Sequence, residues 1–70
     1  MKKISKFFLN GNEYVSSKKI SLNDLIHYFN CQNLLFVLEY NTLVCPKKNW
    51  KKILIKNNDQ IDLITIVGGG

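Results

Sequence analysis

From Ile4 to Leu9 apolar positions alternate: Phe7 and Leu9 share one face of a strand and Phe8 takes the other. Asn10-Gly11 follows, and both residue types tolerate positive φ, so the pair predicts a two-residue hairpin turn. Glu13 to Ser16 returns as a second strand. Ser21 then reads as a helix N-cap, with Asp24 three residues on in place of the usual Glu of a capping box. Leu22, Leu25, Ile26 and Phe29 recur at i, i+3, i+4 and i+7, the stripe of a helix packed on a core. His27 and Tyr28 lie off that stripe, and Asn30 is placed to close the helix in left-handed geometry. Leu35 to Tyr40 is a third strand, with Phe36, Leu38 and Tyr40 on one face and Val37 and Glu39 on the other. Asn41-Thr42 turns the chain into Leu43 to Cys45, which Pro46 stops. Lys47 to Lys52 forms a basic turn around Trp50, whose indole is expected to plug the core. Ile53 to Ile55 leads to a turn at Asn57-Asn58, and the last strand runs from Gln60 to Val67.

A hairpin, then one helix, then more strands fits a single mixed sheet with the helix across one face. The expected class is α+β, a β-grasp, with a mixed four- to five-stranded sheet and one main helix. Residues 1–67 are read as one domain and 68–70 as a flexible glycine tail. Seventy residues hold one small core. A deep catalytic cleft would remove core that such a chain can hardly spare, which favours a binding or carrier module over a free-standing enzyme.

The chain has net charge +5, and its ten cations are all lysine. Without arginine, bidentate recognition of phosphate and guanine is missing, so no nucleic-acid partner is expected. A small basic nucleic-acid-binding domain stays as the alternative from another class; it would need exposed aromatics beside the lysines, and Phe8 is the one candidate. Abundant Lys, Asn and Ile, whose codons are rich in A and T, account for much of the charge through genome composition. Cys31 and Cys45 have no C-x-x-C spacing and share none with His27, so no metal site is expected and both are read as reduced thiols. No secretory leader and no apolar run of about 18 residues is found, so no membrane partner is expected.

Three glycines, Gly68-Gly69-Gly70, follow the last strand. Glycine packs nothing and costs backbone entropy, so such an end frays unless it has a use. A peptide that must thread a narrow channel and present its own carboxylate needs slim residues, free φ/ψ and no Cβ beside the reacting carbonyl. Val67 to Gly70 would reach roughly 13 Å when extended. A carboxylate is inert until it carries a leaving group, and the sequence offers no phosphate loop to activate it, so a partner must do so.

The sequence resembles the thiamin-biosynthesis sulfur carriers, the ThiS family, within the ubiquitin-like proteins. The resemblance rests on Leu9-Asn10-Gly11, on Ser21-Leu22-Asn23-Asp24-Leu25-Ile26, and on Val37-Leu38-Glu39-Tyr40-Asn41. It continues through Val44-Cys45-Pro46, with Trp50 four residues after the proline, and through Asp59 to Gly70. Thr42 and Asn58 depart from it, since the family pattern has a turn glycine at each. Asn58 tolerates positive φ; Thr42 does so poorly. The resemblance implies that Gly70 is adenylated by an enzyme related to ubiquitin-activating enzymes, which consumes ATP and Mg²⁺. A cysteine desulfurase persulfide then converts it to a thiocarboxylate, and a thiazole synthase takes the sulfur. On this reading the chain is a cosubstrate, monomeric when free and holding no cofactor. It works in a bacterial cytoplasm, or in the plastid stroma if organelle-encoded. The small subunit of molybdopterin synthase is the nearest alternative carrier, and a ubiquitin-like modifier the next. Gly68 and Gly69 would thread the partner. Ile64, Ile66, Val37 and Phe8, on the sheet face away from the helix, would dock it.

Overall fold

The computed structural model describes residues 4–31 and 33–66. Strands β1 (Ser5–Leu9) and β2 (Asn12–Ser16) form the expected hairpin. Asn10 and Gly11 take φ of 50° and 84°, the twist that matches a right-handed strand pair. Helix α1 (Leu22–Tyr28) starts at a complete capping box. The Ser21 hydroxyl accepts from the Asp24 amide at 3.0 Å, and the Asp24 carboxylate accepts from the Ser21 amide at 2.9 Å. At the other end Asn30 adopts φ 56°. Its amide donates to the His27 carbonyl and the Cys31 amide to the Ile26 carbonyl, the paired bonds of a glycine-type stop made here by asparagine.

Strands β3 (Phe36–Tyr40), β4 (Leu43–Val44) and β5 (Gln60–Thr65) complete one five-stranded sheet in the order β2-β1-β5-β3-β4. β5 runs parallel to β1 and antiparallel to β3, so the last strand lies at the centre of the sheet. α1 packs Leu22, Leu25 and Ile26 against Phe7, Leu9, Leu38 and Ile61, and Ile55, Cys45 and Trp50 close the core. Trp50 is the expected plug: its indole N–H donates to the Cys45 carbonyl at 3.0 Å, and its ring stacks on Phe36 at 5.4 Å. Lys47–Asn49, before it, is a single 3-10 turn. The segment Ile53–Ile55 adds only one bridge, Leu54 to Ser21.

The expected strands ran too long by a residue at Ile4, Leu35 and Cys45, and Asn12 joins β2. Cys45 still donates to Leu38, but Pro46 has no N–H to continue the ladder. Thr65, placed on the core side by alternation, is exposed. β1 ends at Leu9, opposite Ile61, so β5 overhangs its neighbour beyond that point and Thr65 has no strand beside it on that flank. The strand expected to reach Val67 is assigned to Thr65; Val67 lies outside the described residues.

Both positions where a turn glycine was expected take positive φ. Asn58 takes φ 70°, and Thr42 takes φ 74° after Asn41 at 52°. Pairing of Glu39 with Val44 and Tyr40 with Leu43 leaves only two loop residues, which forces this twist on a β-branched side chain. Thr42→Gly should therefore raise stability by about 1 kcal/mol, or several degrees in Tm, in thermal unfolding.

Candidate functional site

The sheet has a covered face and an open one. Phe7, Leu9, Leu38 and Ile61 point to α1, so period-two alternation turns Lys6, Phe8, Val37, Glu39, Asp62 and Ile64 to the other side. On that open face Val37 and Ile64 stand directly opposite each other across β3 and β5. Ile64 is 49% exposed, unusual for a large β-branched residue on a central strand, and Ile66, just past the strand end, is 56% exposed. The Ile66 amide donates to the Leu35 carbonyl at 3.1 Å, so pairing persists to the last described residue. The overhang of β5 beyond β1 is one reason these side chains lack neighbours. Asn10 manages the uncovered edge, its side-chain carbonyl accepting from the Leu63 amide at 2.8 Å.

The structure therefore sets Val37 opposite Ile64, with Ile66 two residues farther along the chain, and sets Phe8 apart. Phe8 is level with Gln60, four residues before Ile64 on β5, or about 13 Å away along the strand. The Lys6 ammonium lies 5.9 Å from its ring centroid. Between Phe8 and Ile64 stands Asp62, directly opposite Glu39 on β3. Gly68, Gly69 and Gly70 lie outside the described residues.

The start of β5 is fixed by Asp59, a carboxylate that the sequence reading did not single out. It is buried and accepts from the Tyr40 hydroxyl at 2.5 Å, the Asn41 amide group at 3.1 Å and the Lys56 backbone at 2.7 Å. Asn41 in turn accepts from the Gln60 amide at 2.8 Å. This knot ties the β3–β4 turn to the entry of the central strand across 18 or 19 residues of chain. Burial, then the hydrogen bond to Asp59, then the charge of that carboxylate push the Tyr40 phenol up to about 12 from an ordinary 10.0. The folded protein keeps this proton where the unfolded chain releases it. The stabilisation is thus complete below pH 10 and is lost as pH rises through about 12. Tyr40→Phe should lower the urea midpoint at neutral pH and make it fall less steeply across that alkaline window.

Nothing among the described residues resembles a catalytic centre. No group of three or more His, Cys, Asp or Glu stands together there to hold a metal. Cys31 and Cys45 are free thiols, and burial raises the Cys45 pKa, which lowers its thiolate fraction and its reactivity. The His27 ring nitrogen Nδ1 is engaged with the Asn23 carbonyl one turn back, at 2.9 Å. None of the described helices is long and apolar enough to cross a membrane.

Comparison with known proteins agrees with this architecture. The chain is 56% identical over 64 residues to the ycf40 protein of Trieres chinensis, covering 91% of this chain and 88% of that one. It is 31% identical over 62 residues to ycf40 of Porphyra purpurea and 32% identical to ycf40 of Pyropia yezoensis, each match covering 89% of this chain and 87% of the relative. The crystal structure of the thiamine biosynthesis protein ThiS from Geobacter metallireducens superposes with a TM-score of 0.78, covering 93% of this chain and 99% of that one. At 16% identity that likeness speaks for the β-grasp fold alone. Sequence supplies the rest: residues 6–70 match the ThiS family, and the chain belongs to it.

Proposed function

We propose that this protein carries sulfur on its C-terminal carboxylate for thiazole formation in thiamin biosynthesis. Membership of the ThiS family is the observation that carries the reading, because the family match runs through the three glycines to residue 70. In the proposed cycle the Gly70 carboxylate oxygen attacks the α-phosphorus of ATP and expels pyrophosphate. Mg²⁺ and the surrounding catalytic groups belong to the partner enzyme. The terminal sulfur of a partner's cysteine persulfide then attacks the acyl carbon and AMP departs, leaving an acyl disulfide. A second thiol attacks the cysteine sulfur of that bond, forming a disulfide and releasing the thiocarboxylate. The chain contributes a slim tail and a docking face and catalyses no step. Val37, Ile64 and Ile66 seat the adenylating enzyme and then thiazole synthase, and Phe8 touches the partner farther along β1. The bias towards Lys, Asn and Ile supports a compartment with an A/T-rich genome, such as a plastid stroma.

The thiols have no part in the cycle. A double variant, Cys31→Ser with Cys45→Ser, should be thiocarboxylated at the wild-type rate when given the adenylating enzyme, ATP, Mg²⁺ and a persulfide donor. Loss of the reaction in a variant whose circular dichroism is unchanged would move the sulfur to a cysteine. Supplying the thiocarboxylated protein to thiazole synthase and to the large subunit of molybdopterin synthase separates the two carrier readings. Turnover is expected with the first.

A further inference from the structure

The chain has five side-chain carboxylates, and they are not evenly placed. Asp24 caps α1 and Asp59 ties the turns, so both have structural duties. The other three, Glu13, Glu39 and Asp62, all stand on the open face of the sheet, in register with Phe8, Val44 and each other. Among the described residues, Lys6 is the one lysine within a strand, at the end of the face beyond Phe8. A protein of net charge +5 thus presents a locally acidic sheet. Moreover, Glu39 and Asp62 are a directly opposed cross-strand pair of like charge, an arrangement that destabilises the isolated sheet. The pair adjoins the half-buried Val37 and the exposed Ile64, which pair two residues along the strands. On its other side lies a shallow hollow of about 300 Å³ lined by Phe8, Gly11, Gln60, Ile61 and Asp62. Gly11, at φ 84°, leaves the rim of that hollow open, with nothing within 4 Å of where a Cβ would be.

We propose, resting on the carrier reading above, that the partner docked on this face inserts a cation between Glu39 and Asp62 while its apolar side chains cover Val37 and Ile64. Arginine fits this role best. A guanidinium offers donors to both carboxylates at once, and its flat face packs beside the Phe8 ring that lines the hollow. The repulsion present in the free carrier is relieved only on docking, so it adds to the discrimination between bound and free states. The acidic face also orients a carrier that would otherwise approach through its lysine-rich loops.

The opposite signs expected for stability and docking provide the test. A Glu39→Gln, Asp62→Asn double variant should melt at the wild-type temperature or about 2–4 °C higher, because the like-charge pair is gone. In adenylation by the cognate activating enzyme its KM should rise about tenfold with kcat nearly unchanged. The wild-type KM should climb with added salt, and the variant's should stay nearly flat. Normal wild-type turnover with an unchanged KM and salt response in the variant overturns the charge pairing and leaves the carrier reading intact. Absence of any wild-type turnover overturns the carrier reading, and the docking inference falls with it. A lowered melting temperature in the double variant overturns the premise that the pair is repulsive in the free protein.

Discussion

Extending the protein by any residue beyond Gly70 should abolish adenylation and leave its melting curve unchanged. The first half follows from covalent chemistry. An added residue turns the Gly70 carboxylate into an amide and carries the new terminal carboxylate about 3.3 Å or more past the position that meets the α-phosphorus of ATP. The second half follows from the fold. Among the described residues, the core of Phe7, Leu9, Leu22, Leu25, Ile26, Leu38 and Ile61 draws on nothing beyond β5. A tag before Met1 should be harmless to the reaction. Replacing Gly69 by Ala should give an intermediate loss, since a Cβ then enters a passage shaped for backbone and restricts φ/ψ next to the reacting carbonyl. Pyrophosphate release by the three variants, set against their thermal melts, checks the prediction. A C-terminally tagged protein that is still adenylated would show that the reactive group is elsewhere.

The second large effect is expected at Ile64. Its side chain is 49% exposed and faces Val37 on the open side of the sheet, so Ile64→Lys should change stability by no more than about 0.5 kcal/mol. The same ammonium buried without a partner in the docked complex costs several kcal/mol, so kcat/KM for adenylation should fall by about two orders of magnitude. Ile61→Lys is the control. Ile61 is fully buried beneath α1, and that variant should fail to fold. A collapsed melting temperature for Ile64→Lys would mean that Ile64 supports the core. An unchanged rate would place the partner on another surface.

Much of this architecture is written locally. Asn10-Gly11 states its own turn, Ser21 and Asp24 state the start of α1, and alternation along β3 and β5 separates core from surface as far as Leu63. Those signals need only neighbours within a few residues. What sequence reading missed depends on partners far away in the chain. Asp59 draws its meaning from Tyr40 and Asn41, and Asn10 supports Leu63 across 53 residues. Thr42 has poor propensity for positive φ, and the strand pairing on both sides of it overrides that preference. Thr65 is exposed because β1 stops short, a matter of register that alternation within β5 cannot report. The docking candidates divide in the same manner. Their outward direction is local and legible. The separation of Phe8 from Ile64, and the opposition of Glu39 to Asp62, come from the order in which the strands assemble.

The central claim, that sulfur rides on the C-terminal carboxylate, is tested most directly by fragment-level mass spectrometry. The protein would be incubated with the adenylating enzyme, ATP, Mg²⁺ and a persulfide donor. Its C-terminal peptide should gain the mass difference between sulfur and oxygen at Gly70, and omission of ATP should prevent the gain. A gain that maps to Cys31 or Cys45, or one that appears without ATP, would contradict the claim.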